Sequence, residues 1–271
     1  MKLRAFWLAA LLLTACGGGA RHATVDNPYL EKSRHSTQSG MNAMQDGRWR
    51  YARISFTRAL TAAQLTDSPA LVARAWYNLG MARRSDGQTE TAQTAFRTAR
   101  RVAEQHHDTL TALRARLALA LLQVRPTWRP APLQAKLPAD IHLSAARLAQ
   151  RQHRPKVARA EYEQALKRSD TSRQGLTYKG QAYLGLGLLA EDRASVRHHM
   201  QRALKVFRQV GTPSLIAYTL LKISETDESE TTRSDHLHRA LTIYRALHDK
   251  AGEEACIRAL RKGKQRQNGP T

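Results

Sequence analysis

Cysteine is nearly absent from this chain: Cys16 and Cys256 are the only two among 271 residues. That excludes a disulfide-stapled scaffold and any zinc or redox site built from Cys-x-x-Cys ligands. Aromatic residues are sparse at 6%, and 15 glycines and 9 prolines are too few for a collagen-like or low-complexity chain. Acidic residues are scarce beside basic ones, 22 against 44, which leaves a formal net charge of +22. No stretch alternates apolar and polar residues as a half-buried strand would. What is present is 42% hydrophobic residues, enough for a sizeable core in a chain of this length.

The N-terminus carries an address. Lys2 and Arg4 precede an apolar stretch from Ala5 to Leu13, followed by small residues, which is the layout of an export signal and too short to remain as a membrane span. Leu13-Thr14-Ala15-Cys16 resembles the lipobox of bacterial lipoproteins. That resemblance implies cleavage before Cys16, acylation of Cys16 and stable anchoring, because more than one acyl chain holds firmly where a single chain does not. Gly17 rather than Asp after the cysteine points, by the enterobacterial sorting rule, to the outer membrane, with the protein facing the periplasm. The alternative is an ordinary secretory signal. Residues 16–32, opening with Gly17-Gly18-Gly19, read as a flexible tether.

Removing residues 1–15 deletes only two cations, so the positive excess belongs to the mature chain. Such a balance suits anionic partners. Export argues against nucleic acid and leaves lipid headgroups, lipopolysaccharide, wall polymer or an acidic protein; the competing reading is general solvation by arginine on helix surfaces.

A repeat underlies the rest. Arg58-Ala59-Leu60, Thr98-Ala99-Arg100, Gln164-Ala165-Leu166, Arg202-Ala203-Leu204 and Arg239-Ala240-Leu241 recur at spacings of 40, 66, 38 and 37 residues. Between them, apolar residues fall at helical intervals, as in Leu71, Ala75, Leu79, Ala82 and then Ala92, Ala95, Phe96, Ala99. Asp46-Gly47, Asp86-Gly87 and His153-Arg154-Pro155 punctuate paired helical stretches. Trp76-Tyr77-Asn78-Leu79-Gly80, followed by Gly87, Ala92, Phe96 and Ala99, resembles the tetratricopeptide repeat (TPR) family. Weaker matches occur at Gly40, Gly47, Ala52, Phe56 and Ala59, and at Ala146, Ala158, Tyr162 and Ala165. Degenerate units follow around Leu186-Gly187 and Leu221. Arg83 replaces the usual Tyr, the closing Pro is missing and the period exceeds the family's ~34 residues, so longer helices are expected. The resemblance implies an all-α, right-handed superhelical TPR-like solenoid of helix hairpins, with about five to six repeats and an interrupted middle.

The interruption is the long spacing. After a helix from about Asp108 to Gln123 comes Arg125-Pro126-Thr127-Trp128-Arg129-Pro130-Ala131-Pro132, which cannot continue a helix. The expected organisation is therefore an N-terminal lobe (33–123), a Pro-rich connector (124–138), a C-terminal lobe (139–263) ending in a capping helix at Gly252–Leu260, and a basic tail (264–271). Trp128 reads either as an exposed binding anchor or as a clamp holding the connector to a neighbouring helix.

The sequence carries no Walker loop, nucleophile elbow or HExxH motif. Gly185-Leu186-Gly187-Leu188-Leu189-Ala190 fits a dinucleotide fingerprint in letters only, since no strand precedes it, so no cofactor is expected. His106-His107, His198-His199 and His236-x-His238 lack the spacing and partner acids of a zinc site and read as solvated helix residues. Cys256 falls on an apolar phase with Ala259 and reads as core. Glu225, Asp227, Glu228 and Glu230 read as a solvated acidic loop, or as a site for a cation or basic partner.

The family resemblance implies binding rather than catalysis, at a concave surface lined by the first helix of each pair. Its groove positions, carried onto this sequence, are Tyr77, Asn78, Met81 and Arg84 with Arg74, and Arg34 one repeat earlier. Asn78 suits a peptide backbone, the arginines suit carboxylates, and Tyr77 and Met81 suit apolar contact. The expectation is a non-enzymatic, lipid-anchored periplasmic scaffold that binds an envelope protein or peptide in its groove. The second reading is a polyanion-binding envelope protein.

Overall fold

The computed structural model describes residues 27–131, 133–134 and 136–267, with side chains to residue 263, and among these are twelve helices and no strand. They are α1 (Pro28–Gln45), α2 (Trp49–Gln64), α3 (Pro69–Ser85), α4 (Thr89–Gln105), α5 (Thr109–Leu122) and α6 (Ala139–Arg151). α7 (Pro155–Arg168), α8 (Arg173–Leu189), α9 (Arg193–Val210), α10 (Pro213–Ser224), α11 (Glu230–Ala246) and α12 (Lys250–Gln267) complete the chain. Residues 1–15, Cys16 and most of the expected tether lie outside the described residues.

Helix starts follow local chemistry. Proline, already lacking an N–H, opens α1, α3, α7 and α10. The Asn27, Asp108, Ser172, Asp192 and Ser229 side chains accept from free backbone N–H groups of the first turns of α1, α5, α8, α9 and α11. The Asn27–Pro28 start corrects the tether boundary, because α1 begins inside the stretch read as flexible. At the other end, no helix breaker follows Leu260 strongly enough to stop the chain, so α12 runs to Gln267 and takes in half of the expected basic tail.

Turns between helices are equally regular. Gly47, Asp67, Gly87 and His107 all take left-handed backbone conformations, with φ of 75°, 51°, 77° and 59°, one every 20 residues. Two helices and two such turns make the 40-residue unit that exceeds the family's usual length. His107 is thus a turn residue and not the solvated helix residue expected of its pair, and His153 and His248 take the same left-handed conformation.

Five antiparallel pairs result: α1 on α2, α3 on α4, α6 on α7, α8 on α9 and α10 on α11. Close approach depends on glycine. A Cβ on Gly40 would stand 2.6 Å from the Phe56 ring, and one on Gly80 the same distance from Phe96. Phe56, Phe96 and Phe207 are buried at these seams, and burial of such a side chain contributes roughly 1.5–3 kcal/mol. Arg83, at the family's tyrosine position, spans its hairpin by donating to the Thr91 carbonyl at 3.2 Å. Cys256 is buried against the last pair, beside Tyr244 and Leu220, where α12 covers the end of the core.

α5 has no second helix. It packs on α4, while the connector takes the space a partner helix would fill. Trp128, Leu133 and Leu137 pack with Leu117, Ile141 and Leu148 of α5 and α6, and the Arg116 guanidinium lies 4.9 Å from the Trp128 ring centre. Gln152 Nε2 donates to the Pro126 and Trp128 carbonyls at 3.1 and 2.8 Å, and Arg151 Nη2 to that of Gln123 at 2.7 Å. Trp128 is therefore the clamp of the connector.

Candidate functional site

The solenoid curves until its ends meet. Arg173 Nη2 at the start of α8 lies 3.5 Å from Asp46 Oδ1 in the first turn. A Cβ on Gly47 would reach within 3.8 Å of Leu247 and 3.9 Å of Ser214, in the last pair. Inside this curve the first helices α1, α3, α6, α8 and α10 face a common cavity of about 280 Å³.

Each first helix contributes a stripe at helical spacing, because residues three and four apart share a face. On α3 these are Tyr77, Asn78, Met81 and Arg84, with Ser85; on α6, Asp140, Leu143, Ser144 and Arg147; on α8, Gln174, Thr177, Tyr178 and Gln181. Four of the six groove positions inferred from sequence therefore stand together on the cavity wall. The other two do not line it. Arg34 sits early in α1, 66% exposed and paired with Glu31 at 2.8 Å, whereas the cavity begins at Met41. Arg74, 60% exposed, leans to Asp108 at 3.8 Å, toward the start of α5.

Sequence reasoning missed Asp140, Arg147, Tyr178 and Gln181. The i, i+3, i+4, i+7 stripe of α3 recurs on α6 and α8 and was a usable signal, but the connector breaks the repeat register between them.

The electrostatics of the wall are lopsided. Asp140 is the one carboxylate among the described lining residues, and Arg114 already holds it in a fork, Nε to Oδ2 at 2.6 Å and Nη2 to Oδ1 at 3.0 Å. Burial, and then the Asp140 charge, push the Tyr77 phenol up to about 12. Burial raises Tyr178 as well, while its hydroxyl receives a hydrogen bond from Gln174. The Tyr77 ring leans on Phe96 at 5.7 Å between centres, which fixes its position. Arg84 makes no hydrogen bond or ion pair with any described residue; burial and then the nearby Arg147 lower its pKa. Arg147 donates only to the amide oxygen of Gln181, at 3.0 Å. Asn78 is likewise without a side-chain hydrogen bond among the described residues.

Other groups singled out in the sequence have structural partners. Asp227, read as part of a solvated loop, is buried and lies 2.6 Å from His236 Nδ1, and Glu230 pairs with Arg233 at 2.5 Å. His199 stacks on the Tyr183 ring and His198 meets His199 edge-on, and no cluster of three metal-ligating side chains occurs among the described residues.

Ladders of antiparallel helix pairs, seam glycines and a concave face lined by first helices define a TPR-like α-solenoid. No protein-family model matches the chain, and no curated protein matches it in sequence. Among solved structures, it is similar to BtubC (BKLC) from P. vanneervenii at 15% identity, covering 91% of this chain and 94% of that one, with a TM-score of 0.33. It is similar to the Cut9–Hcn1 hetero-tetramer of the APC/C at 15% identity and a TM-score of 0.48, covering 87% of this chain and 44% of that one. A tetratricopeptide repeat protein from Parabacteroides merdae is 12% identical, with 86% and 99% covered and a TM-score of 0.28. These likenesses assign no partner to this chain.

Proposed function

We propose that this protein is a non-enzymatic scaffold that binds an envelope protein or peptide in its concave groove and is held at the outer membrane, facing the periplasm, by acylated Cys16. The supporting observation for binding is the cavity itself: first helices from all five pairs converge on it and leave the Asn78 and Arg84 side chains without a hydrogen-bond partner among the described residues. Support for the anchor is the Leu13-Thr14-Ala15-Cys16 motif after an export-like leader. The role is assembly or regulation of an envelope machine: a pilus or secretin, outer-membrane assembly, or wall synthesis.

Crosslinking and affinity capture from envelopes tests this, with the native chain set against Cys16→Ala and against Asn78→Ala. The expected result is one protein complex, lost with the groove change, and release from the membrane fraction with the Cys16 change. A capture unaffected by the groove change would overturn the groove reading.

A second reading has its own observation. α9 carries Arg193, Arg197, Arg202, Lys205 and Arg208 and no acidic residue, a basic ridge suited to lipopolysaccharide or wall polymer. Recovery of polymer alone, removed by salt, would favour it.

A further inference from the structure

The cavity contains two cations with no anion of their own. Arg84 on α3 and Arg147 on α6 both line this one cavity, and the only carboxylate among its described lining residues, Asp140, is occupied by Arg114. A largely buried guanidinium without a hydrogen-bonded anion is unfavourable on its own. An incoming anion would relieve both charges at once. Around them lie Met41, Met44, Met81 and Tyr77, adaptable and apolar. The space is about 280 Å³, near the lower end of small-molecule pockets at ~300–1,000 Å³. The first turn approaches Arg173, Ser214 and Leu247 across the curve and narrows the groove there.

We infer that this cavity is a site for a free, small organic acid, whose carboxylate sits between Arg84 and Arg147 and whose apolar body rests on the methionines and Tyr77. The inference rests on the concave face being a binding face, and goes beyond partner docking. Because α3 and α6 lie on opposite sides of the connector, such a ligand ties the chain before it to the chain after it and makes the groove responsive to a small molecule.

A matched pair of fluorescent probes tests this on the full mature chain: anilinonaphthalene sulfonate, an anion on an aromatic body, and N-phenylnaphthylamine, which lacks only the sulfonate. The expected result is one anionic probe bound per chain. Arg84→Gln with Arg147→Gln weakens that probe at least ~10-fold and leaves the neutral probe unchanged. Arg84→Lys, which keeps the charge, gives an intermediate loss and guards against misfolding as the cause. Equal binding of both probes, or indifference to the substitutions, would overturn the site. Hydrocinnamate and the peptide Gly-Gly-Gly-Phe then compete for the probe; displacement by hydrocinnamate alone is expected, while tighter displacement by the peptide would mean that the carboxylate arrives on a partner and that the free-acid assignment is wrong. Partner capture uses Asn78→Ala alone, which leaves Arg84, Arg147 and Tyr77 in place, so loss of the scaffold reading and loss of this one are separately visible.

Discussion

Asp46, in the turn after α1, and Arg173, the first residue of α8, lie 3.5 Å apart across 127 residues of chain. Asp46 also receives Arg48 at 2.7 Å, so it is shared between a local and a distant cation. All three side chains are substantially solvated. Asp46→Ala is therefore expected to lower the unfolding free energy by less than ~1 kcal/mol, an effect that fades at high salt. Urea titration at low and high ionic strength measures both. A loss well above that would mean that closure of the solenoid carries global stability.

Gly80 tests the seam. Alanine is favoured over glycine inside a helix by about 1 kcal/mol, yet a Cβ here would stand 2.6 Å from Phe96 Cε1. Overpacking is expected to win, making Gly80→Ala destabilising by roughly 1–3 kcal/mol. Gly80→Ala with Phe96→Leu should recover part of that loss in the same thermal or urea measurement, because the ring edge is what the new methyl meets.

Alkaline pH should loosen the fold through its tyrosines. Tyr77 is held protonated up to about 12, chiefly by burial and then by Asp140, against an ordinary value near ~10 in the unfolded chain. Unfolding therefore releases a proton in this window, and the stability Tyr77 contributes is complete below pH ~10 and lost as pH rises toward 12. Comparing urea midpoints of the native chain and Tyr77→Phe from pH ~9 upward is expected to show a shallower decline for the variant.

Cys256 should be silent to thiol reagents. It is fully buried, and burial pushes its thiol up to about 11, with Asp249 adding to the shift. A Cys16→Ser chain is expected to show no reactive thiol when folded and one when denatured, with a labelling rate that tracks unfolding. Rapid labelling under native conditions would place Cys256 at a surface.

Much of the fold was legible locally. Pro155 marks a helix start and Gly47 and Gly87 mark turns, because their backbone preferences act within a few residues, whereas Pro28, which also opens a helix, fell in the stretch read as tether. Trp76-x2-Leu79-Gly80 with Phe96 marked the best hairpin, since the same small residue and ring meet wherever two such helices pack. The cavity wall was half legible. Tyr77, Asn78, Met81 and Arg84 followed from one good repeat, but Arg34 and Arg74 did not reach the cavity, because each leans toward a nearby acid, Glu31 or Asp108. Asp227 looked solvated for the same reason that any short acidic run does; its partner His236 lies on the following helix, and only the packed turn shows that they meet.

By itself, then, the sequence determined an all-helical chain of long hairpins, their period, their seams and a missing helix after α5, all properties written in neighbouring residues and in a repeating pattern. Tertiary structure decided how far the solenoid curls. Small rotations from one pair to the next accumulate, and the path of the connector, pinned by Trp128 and Gln152, sets where the second stretch resumes. No local pattern encodes that sum. It is what brings Asp46 to Arg173 and sets Arg84 and Arg147 around one cavity.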